Sequence, residues 1–368
     1  MSNAFADSPI PQKLGKHPMK HHLFNLARAA AVCVALGATT LSAQATDDPI
    51  PVAVDAGFNA SEMASKAFTI ADTIALKGMK RVAVPVFVVE FVTADNVTAQ
   101  TSGFAAGGRA SSSLYYRLLG VGEPEFQALT DALYAEFLRQ LQASGLEVMP
   151  HEQVKATALY GKLAAKGRAA PIKDDRSMVL SPPGMAIYGF ARGAAVGKKT
   201  GLFGVLASVG DGFSAVGDIG DTIALSTELD ASLLELRLRV NFVELADNNR
   251  GFFGRLAGSA NASGKVFPSI DSAMVVVQNG GQRSAWTLNH LLMLDNTAFA
   301  DVREKPSTAG DVAGAVAVGL LRLALGSRDS SSSKEMEAIA EPAQYRQVLG
   351  AGLSTFTGMV ATRLKSER

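Results

Sequence analysis

Cysteine and histidine are both scarce in this chain, and each scarcity closes off a class of chemistry. One cysteine, Cys33, stands in 368 residues, so no intrachain disulfide framework can form. Of the five histidines only His151 and His290 lie beyond position 22, and neither has a second His or a carboxylate at i+4, the spacing that a helical zinc site requires. An excess of one charge sign is missing too. With 35 Lys+Arg against 34 Asp+Glu there is no basic cluster to release counterions from nucleic acid, so DNA and RNA are not expected partners. What is abundant is apolar sequence, 48% of residues against 19% charged, the balance of a folded protein of one large or two modest domains.

The first 45 residues carry an address. A cationic stretch (Lys13, Lys16, Lys20, Arg28) leads into the apolar run Ala29–Leu41 and then into Ser42-Ala43-Gln44-Ala45, a small-x-small processing site. That run is too short to span a bilayer of about 30 Å, so residues 1–45 are expected to be a cleaved export signal, with Met19 opening its compact form and the eighteen residues before it either a mis-assigned start or an extension. Cys33 falls inside the signal. Val32 before it is bulky, so lipidation of Cys33 is not expected, and the mature chain would carry no thiol and a formal charge of −2.

Residues 46–79 read as a lead-in with Pro49 and Pro51 and an amphipathic stretch around Met63–Leu76. Beyond it, Arg81–Val92 (RVAVPVFVVEFV) is an almost unbroken β-branched and aromatic run, which suits a strand covered on both faces; Pro85 requires a bulge or an edge there. Thr101–Ser113 is rich in Gly and Ser and reads as a mobile loop. From Pro124 to Ser144 the residues Phe126, Leu129, Leu133, Phe137 and Leu141 form one helical stripe, begun by Pro124 and stopped by Gly145. Gly145–Pro150 can only be a short strand, and His151–Ala165 returns to a helical pattern. Leu233–Leu245 alternates as a half-buried strand with Glu235, Arg237 and Arg239 on its charged face. Asn279-Gly280-Gly281 between two apolar runs predicts a hairpin. Gly193–Leu225 carries eight glycines and is expected to be flexible or ordered only by a partner. Two helices, Val312–Leu325 and Tyr345–Leu364, are expected at the C-terminus, joined by a linker through SRDSSSSKE.

No set of residues forms a catalytic constellation. Gly197-Lys198-Lys199-Thr200 resembles a phosphate loop, but Arg192 stands where its first Gly belongs and Lys199 where Ser or Thr should follow. Ser331-x-x-Lys334 matches S-x-x-K only inside the serine-rich linker. Glu123 and Glu125 fall at a helix start, where they complement the helix dipole. His151 is expected at a helix start and His290 in a strand. No catalytic, cofactor-binding or metal-binding residue is therefore assigned, and no cofactor is expected.

The order RVAVPVF, loop, long helix, GLEVMPHEQV, helix resembles the CsgG-like domain of the curli-secretion channel family and related envelope proteins. Val82–Phe87 stand for that family's I-A-V-L-P-F strand, with Pro85 one place early. Val148–Val154 stand for its V-V-x-R-E-Q-L, with His151 for the Arg, Glu152 and Gln153 matching, and Val154 for the Leu. Ala186–Gly193 and Val275–Trp286 resemble its later strand and hairpin. The resemblance implies an α/β fold, a mixed sheet with helices packed on it in three layers, over residues 80–300, with Gly193–Leu225 as an insertion and 301–368 as C-terminal helices. It also implies a periplasmic or secreted protein, associated with the outer membrane in some members, that oligomerises and works through protein contacts. Two features depart from the channels: no lipidated Cys, and no alternating apolar face in the Gly-rich segment. The expected role is a non-catalytic assembly, adaptor or scaffolding component of the envelope. The alternatives are an oligomeric secretion or pore subunit and, third, a periplasmic enzyme.

Overall fold

The computed structural model describes residues 50–100, 110–188, 214–247, 262–306 and 330–368. The expected export signal, the Gly197–Thr200 motif and the helix expected over Val312–Leu325 all lie outside the described residues.

Within the described residues the chain folds as a mixed α/β protein with two sheets. Its centre is β3 (Arg81–Val92), flanked by β9 (Ser232–Asp247), parallel to it, and β8 (Ser177–Leu180), antiparallel. A hydrophobic strand of this kind belongs where both faces are covered, and every residue from Val82 to Phe91 for which the burial is given is buried. Pro85 sits at a slip in the pairing with β9, between Ala83 and Val86, so the expected irregularity is a bulge in a central strand. The bulge reverses the alternation. Val82 and Val84, then Phe87, Val89 and Phe91, enter one core, whereas Ala83, Val86 and Val88 enter the other.

The large sheet continues outward from β9 through β10 (Ala262–Asn279) to β12 (His290–Met293) and β1 (Ile50–Ala53), and from β8 to β7 (Ile172–Lys173). β11 (Gln282–Leu288) pairs with β10 and with β2 (Phe68–Ile70), and β6 (Glu147–Val148) pairs with β3. Asn279 and Gln282 face each other across Gly280-Gly281, the expected hairpin turn. The described part of segment 46–79 is more than a lead-in: β1 and β2 are strands of the sheet, the helix α1 (Ala60–Lys66) lies between them in the chain, and Phe68 and Leu76 are buried in the core. Strands of three or four residues carry too little periodicity to be seen in sequence.

On the first face lies α2 (Glu123–Ala143), whose stripe Phe126, Leu129, Leu133, Phe137 and Leu141 is buried throughout. Phe126 stacks on Phe91 at 4.5 Å between centroids and Phe137 meets Phe87 at 5.9 Å. Gly145 stops the helix at φ +91°. Beside it runs α6 (Pro342–Glu367), buried along Tyr345, Leu349, Leu353, Phe356, Val360 and Leu364. On the second face α3 (His151–Lys155), α4 (Ala158–Ala165) and α5 (Ser214–Leu229) cover Val86 and Val88. The single helical stretch expected from His151 is thus two helices; Thr157 breaks it, its Oγ1 accepting from Tyr160 N at 3.1 Å to cap the second. α5 corrects the expectation for the end of the Gly-rich segment. Asp221 pairs with Lys162 and Lys166 of α4 at 2.7 and 2.8 Å, and Leu225 and Leu229 are buried, so tertiary contacts outweigh the low helix propensity of Gly217 and Gly220.

β9 departs from the half-buried reading: its charged face is covered as well. Arg237 is buried and donates to Tyr188 O at 2.9 Å and to Glu235 at 3.0 Å.

The second sheet has four strands in the order β13 (Phe299–Glu304), β14 (Ser330–Ala340), β5 (Ala110–Leu119), β4 (Ala94–Gln100). The serine tract expected as a linker is part of β14, and the end of the Thr101–Ser113 stretch is part of β5; Ser331, Ser332 and Ser333 pair in parallel with Ser111, Ser112 and Ser113. Serine composition reports solvent exposure, and a strand on a solvated sheet needs no apolar partner when its ladder is completed from a distant part of the chain. The C-terminal region therefore contributes two strands and α6 rather than helices alone. β5 and β14 each run through a Glu-Pro pair (Glu123-Pro124, Glu341-Pro342) into a long helix, and α2 and α6 pack together through Phe126 and Tyr345 at 6.2 Å. Among the described residues no helix is long and apolar enough to cross a membrane.

Candidate functional site

The small sheet has two unlike faces, set by simple alternation. Tyr116, Leu118 and Ala338 point inward and are buried, with Tyr116 Oη donating to Gly264 O at 3.3 Å. The residues between them point outward. Register places Thr98, Ser113 and Ser333 in one row, Asn96, Tyr115 and Glu335 in the next, and Ala94, Arg117, Glu337 and Arg303 in a third. Thr98 Oγ1 and Ser113 Oγ are 3.0 Å apart, and Tyr115 is 44% exposed.

Across these rows runs an open groove of about 600 Å³, with Asp175 and Arg176 of the turn between β7 and β8 at one end and Lys305 at the other. Its charges are nearly balanced: Arg117, Arg176 and Lys305 against Asp95, Asp175, Glu335 and Glu337. Most are already engaged. Arg176 bonds Asp95 and donates to Asn96 Oδ1 at 2.8 Å, Lys305 pairs with Glu335 at 2.6 Å, and Glu337 pairs with Arg303 at 3.2 Å.

Asp95 joins the groove to a charged seam between the sheets. Burial raises its carboxyl above the ordinary carboxylate value, against the pull of the Asn96 N–H and of Arg176 and Arg239. Behind it, Arg239 makes a two-pronged pair with Asp271, Nε–Oδ1 2.8 Å and Nη2–Oδ2 2.9 Å, while Asn241 Nδ2 donates to Asp271 Oδ2 at 3.1 Å. Glu90, wholly buried, lies opposite Arg239 in register. Burial alone would lower Arg239, but the carboxylates of Asp271, Glu90 and Asp95 outweigh it and hold the guanidinium charged.

The residues weighed in sequence are dispersed. His151 opens α3 and meets Tyr160 edge-on at 5.4 Å, and burial lowers its pKa below the ordinary imidazole value. His290 opens β12, in contact with Asn289. Glu125 accepts from Gly122 N at 3.0 Å at the start of α2, and Glu123 pairs with Lys173. Ser331 and Lys334 lie three apart on a strand, which turns them to opposite faces, and Lys334 pairs with Glu304 at 3.0 Å; S-x-x-K chemistry needs a helix to bring the two together. Among the described residues no group of three or more His, Cys, Asp or Glu is placed to hold a metal ion. Tyr115, Arg117, Asn96 and Glu335 were not singled out by sequence, although the period-two pattern of Ser113, Tyr115 and Arg117 against Leu114, Tyr116 and Leu118 marks a strand with one solvated face.

Comparison with known proteins gives no match to a family model, to a curated protein or to a solved structure.

Proposed function

We propose that the chain is an exported, non-catalytic component of the bacterial cell envelope that serves assembly, adaptor or scaffolding work through protein contacts. The observation that carries this reading is the construction of the small sheet. Its inner face is anchored in the core, while its outer face is solvated and, among the described residues, neither edge strand, β4 or β13, pairs with a further strand. Open edges of this kind accept an added strand from another chain. The order β3, α2, β6, α3 supports the likeness to CsgG-like domains, and with it an oligomer and a periplasmic or secreted location with contact to the outer membrane.

Export is tested by expressing the full chain in a bacterium, sequencing the N-terminus of the product and fractionating the cells. The expected product begins at Thr46 and sits in the envelope fraction; an intact N-terminus in the cytoplasm refutes the reading. Once Cys33 is removed with the signal, Val302→Cys supplies the only thiol, on the exposed edge strand β13. A cross-linker placed there is expected to capture a second protein or a second copy. Mass in solution with and without detergent separates a soluble assembly from a pore subunit, which would gather into a ring only in detergent.

A further inference from the structure

The groove on the small sheet has features that a protein-docking edge does not need, and they define a ligand of their own. Three cations face four anions along it, and the pairs Arg176–Asp95 and Lys305–Glu335 neutralise much of that charge internally. Such a surface sets up little field with which to select an anion or a cation. It nevertheless presents a dense array of planar donors and acceptors. Asn96 and Glu335 flank Tyr115 in its own row and Arg117 stands in the next, and the Tyr115 ring is the large exposed apolar group among them. A protein hot spot asks for a contiguous apolar centre from which water is expelled, and the outward rows of this sheet are polar.

We propose that this groove binds a neutral oligosaccharide. The electron-rich face of Tyr115 is suited to the weakly positive C–H bonds on one side of a pyranose ring. Around it, an amide, a guanidinium and a carboxylate each offer two hydrogen-bonding positions, the geometry that matches neighbouring hydroxyls. Because Glu335 and Lys305 are already paired, they can bond neutral hydroxyls without an ionic group being stripped of its counter-charge, which a charged ligand would demand. From β4 to β14 the groove crosses two strand-to-strand intervals, about 10 Å, and runs on to Arg176 at one end and Lys305 at the other, enough for a short chain of sugar rings rather than one.

The test is saturation-transfer NMR and calorimetry on the full chain with chitotriose, cellotriose and maltotriose, beside trigalacturonate and an acidic peptide as charged comparators. At least one neutral trisaccharide is expected to bind at millimolar concentration or better, with transfer to its ring protons. Tyr115→Ala is expected to weaken that binding about tenfold, Tyr115→Phe to retain most of it, and Arg117→Ala to weaken it while the thermal midpoint stays unchanged. The proposal is overturned if none of the three sugars shows transfer, if Tyr115→Ala binds as the parent does, or if a charged comparator binds more tightly. Cross-linking through Val302→Cys is independent of these results, so the envelope reading can stand where the glycan falls, and the reverse.

Discussion

Two glycines with nearly the same backbone angle separate conformational strain from steric exclusion. Gly120 has φ +87° and Gly145 has φ +91°, both in the region that L side chains seldom adopt. Their surroundings differ. A Cβ on Gly145 would meet nothing nearer than Arg368 Nη2 at 3.9 Å, whereas a Cβ on Gly120 would lie 2.1 Å from the carbonyl oxygen of Ala340 and 3.2 Å from its carbon. Gly145→Ala should therefore cost only the left-handed penalty, about 1–2 kcal/mol. Gly120→Ala adds displacement of a backbone at the junction of β14 and α6, which at the cost of overpacking is a further ~1–3 kcal/mol. The entropy that Ala removes from the unfolded chain is common to both and cancels in the difference. Urea unfolding of the two variants measures it. Gly120→Ala should be the less stable by well over 1 kcal/mol, and amide exchange should quicken first in β14, since Ala340 holds the small sheet to its helix. Equal losses in the two variants would mean that β14 and the start of α2 do not meet as described.

Two further outcomes follow from buried ionisable groups. Asp271→Ala removes the two-pronged partner of Arg239 but leaves the carboxylates of Glu90 and Asp95 to hold its charge, so the loss is that of hydrogen bonds to a charged group, about 1.5–3 kcal/mol; equilibrium unfolding checks it, and a loss below 1 kcal/mol would place the pair in solvent. Burial, and next the neighbouring Tyr160, push the Tyr134 phenol from 10.0 up to about 12. A raised folded pKa means that the native state holds its proton longer than the unfolded one, so this contribution is complete below pH 10 and is lost as pH climbs towards 12. Tyrosinate absorbance followed with circular dichroism should therefore rise together with unfolding; ionisation of Tyr134 at its ordinary value in the folded protein would refute the burial.

What was legible in sequence divides along a physical line. Elements that bury long, regular patterns were readable: Val82–Phe91 lies beneath Phe126–Leu141, and the stop at Gly145 and the Gly280-Gly281 turn fall where local chemistry places them. Elements whose partners are distant in the chain were not. Ser331–Ser333 form a strand only because Ser111–Ser113 lie alongside, and β1 and β2 owe their form to β12 and β11. The groove shares that origin. Tyr115 and Arg117 are brought beside Asn96 by a hairpin and beside Glu335 by a parallel pairing across 220 residues, which no local window contains.

The bulge at Pro85 couples the two halves of this arrangement. If β3 alternated regularly from Val82, then Val86, Val88 and Glu90 would point at α2, and Phe87 and Phe91 would point away from it. One extra residue reverses this. Phe87 and Phe91 turn to Phe137 and Phe126, and in the same step Glu90 turns to Arg239 in the seam rather than against a phenylalanine. Because β3 passes into β4 through Thr93 alone, the phase set at Pro85 is carried directly towards Asp95 and Asn96. A proline that donates no ladder hydrogen bond is least costly where the ladder already slips, so the residue that looked like an obstacle to the strand is the one that lets its aromatic and charged positions both find partners.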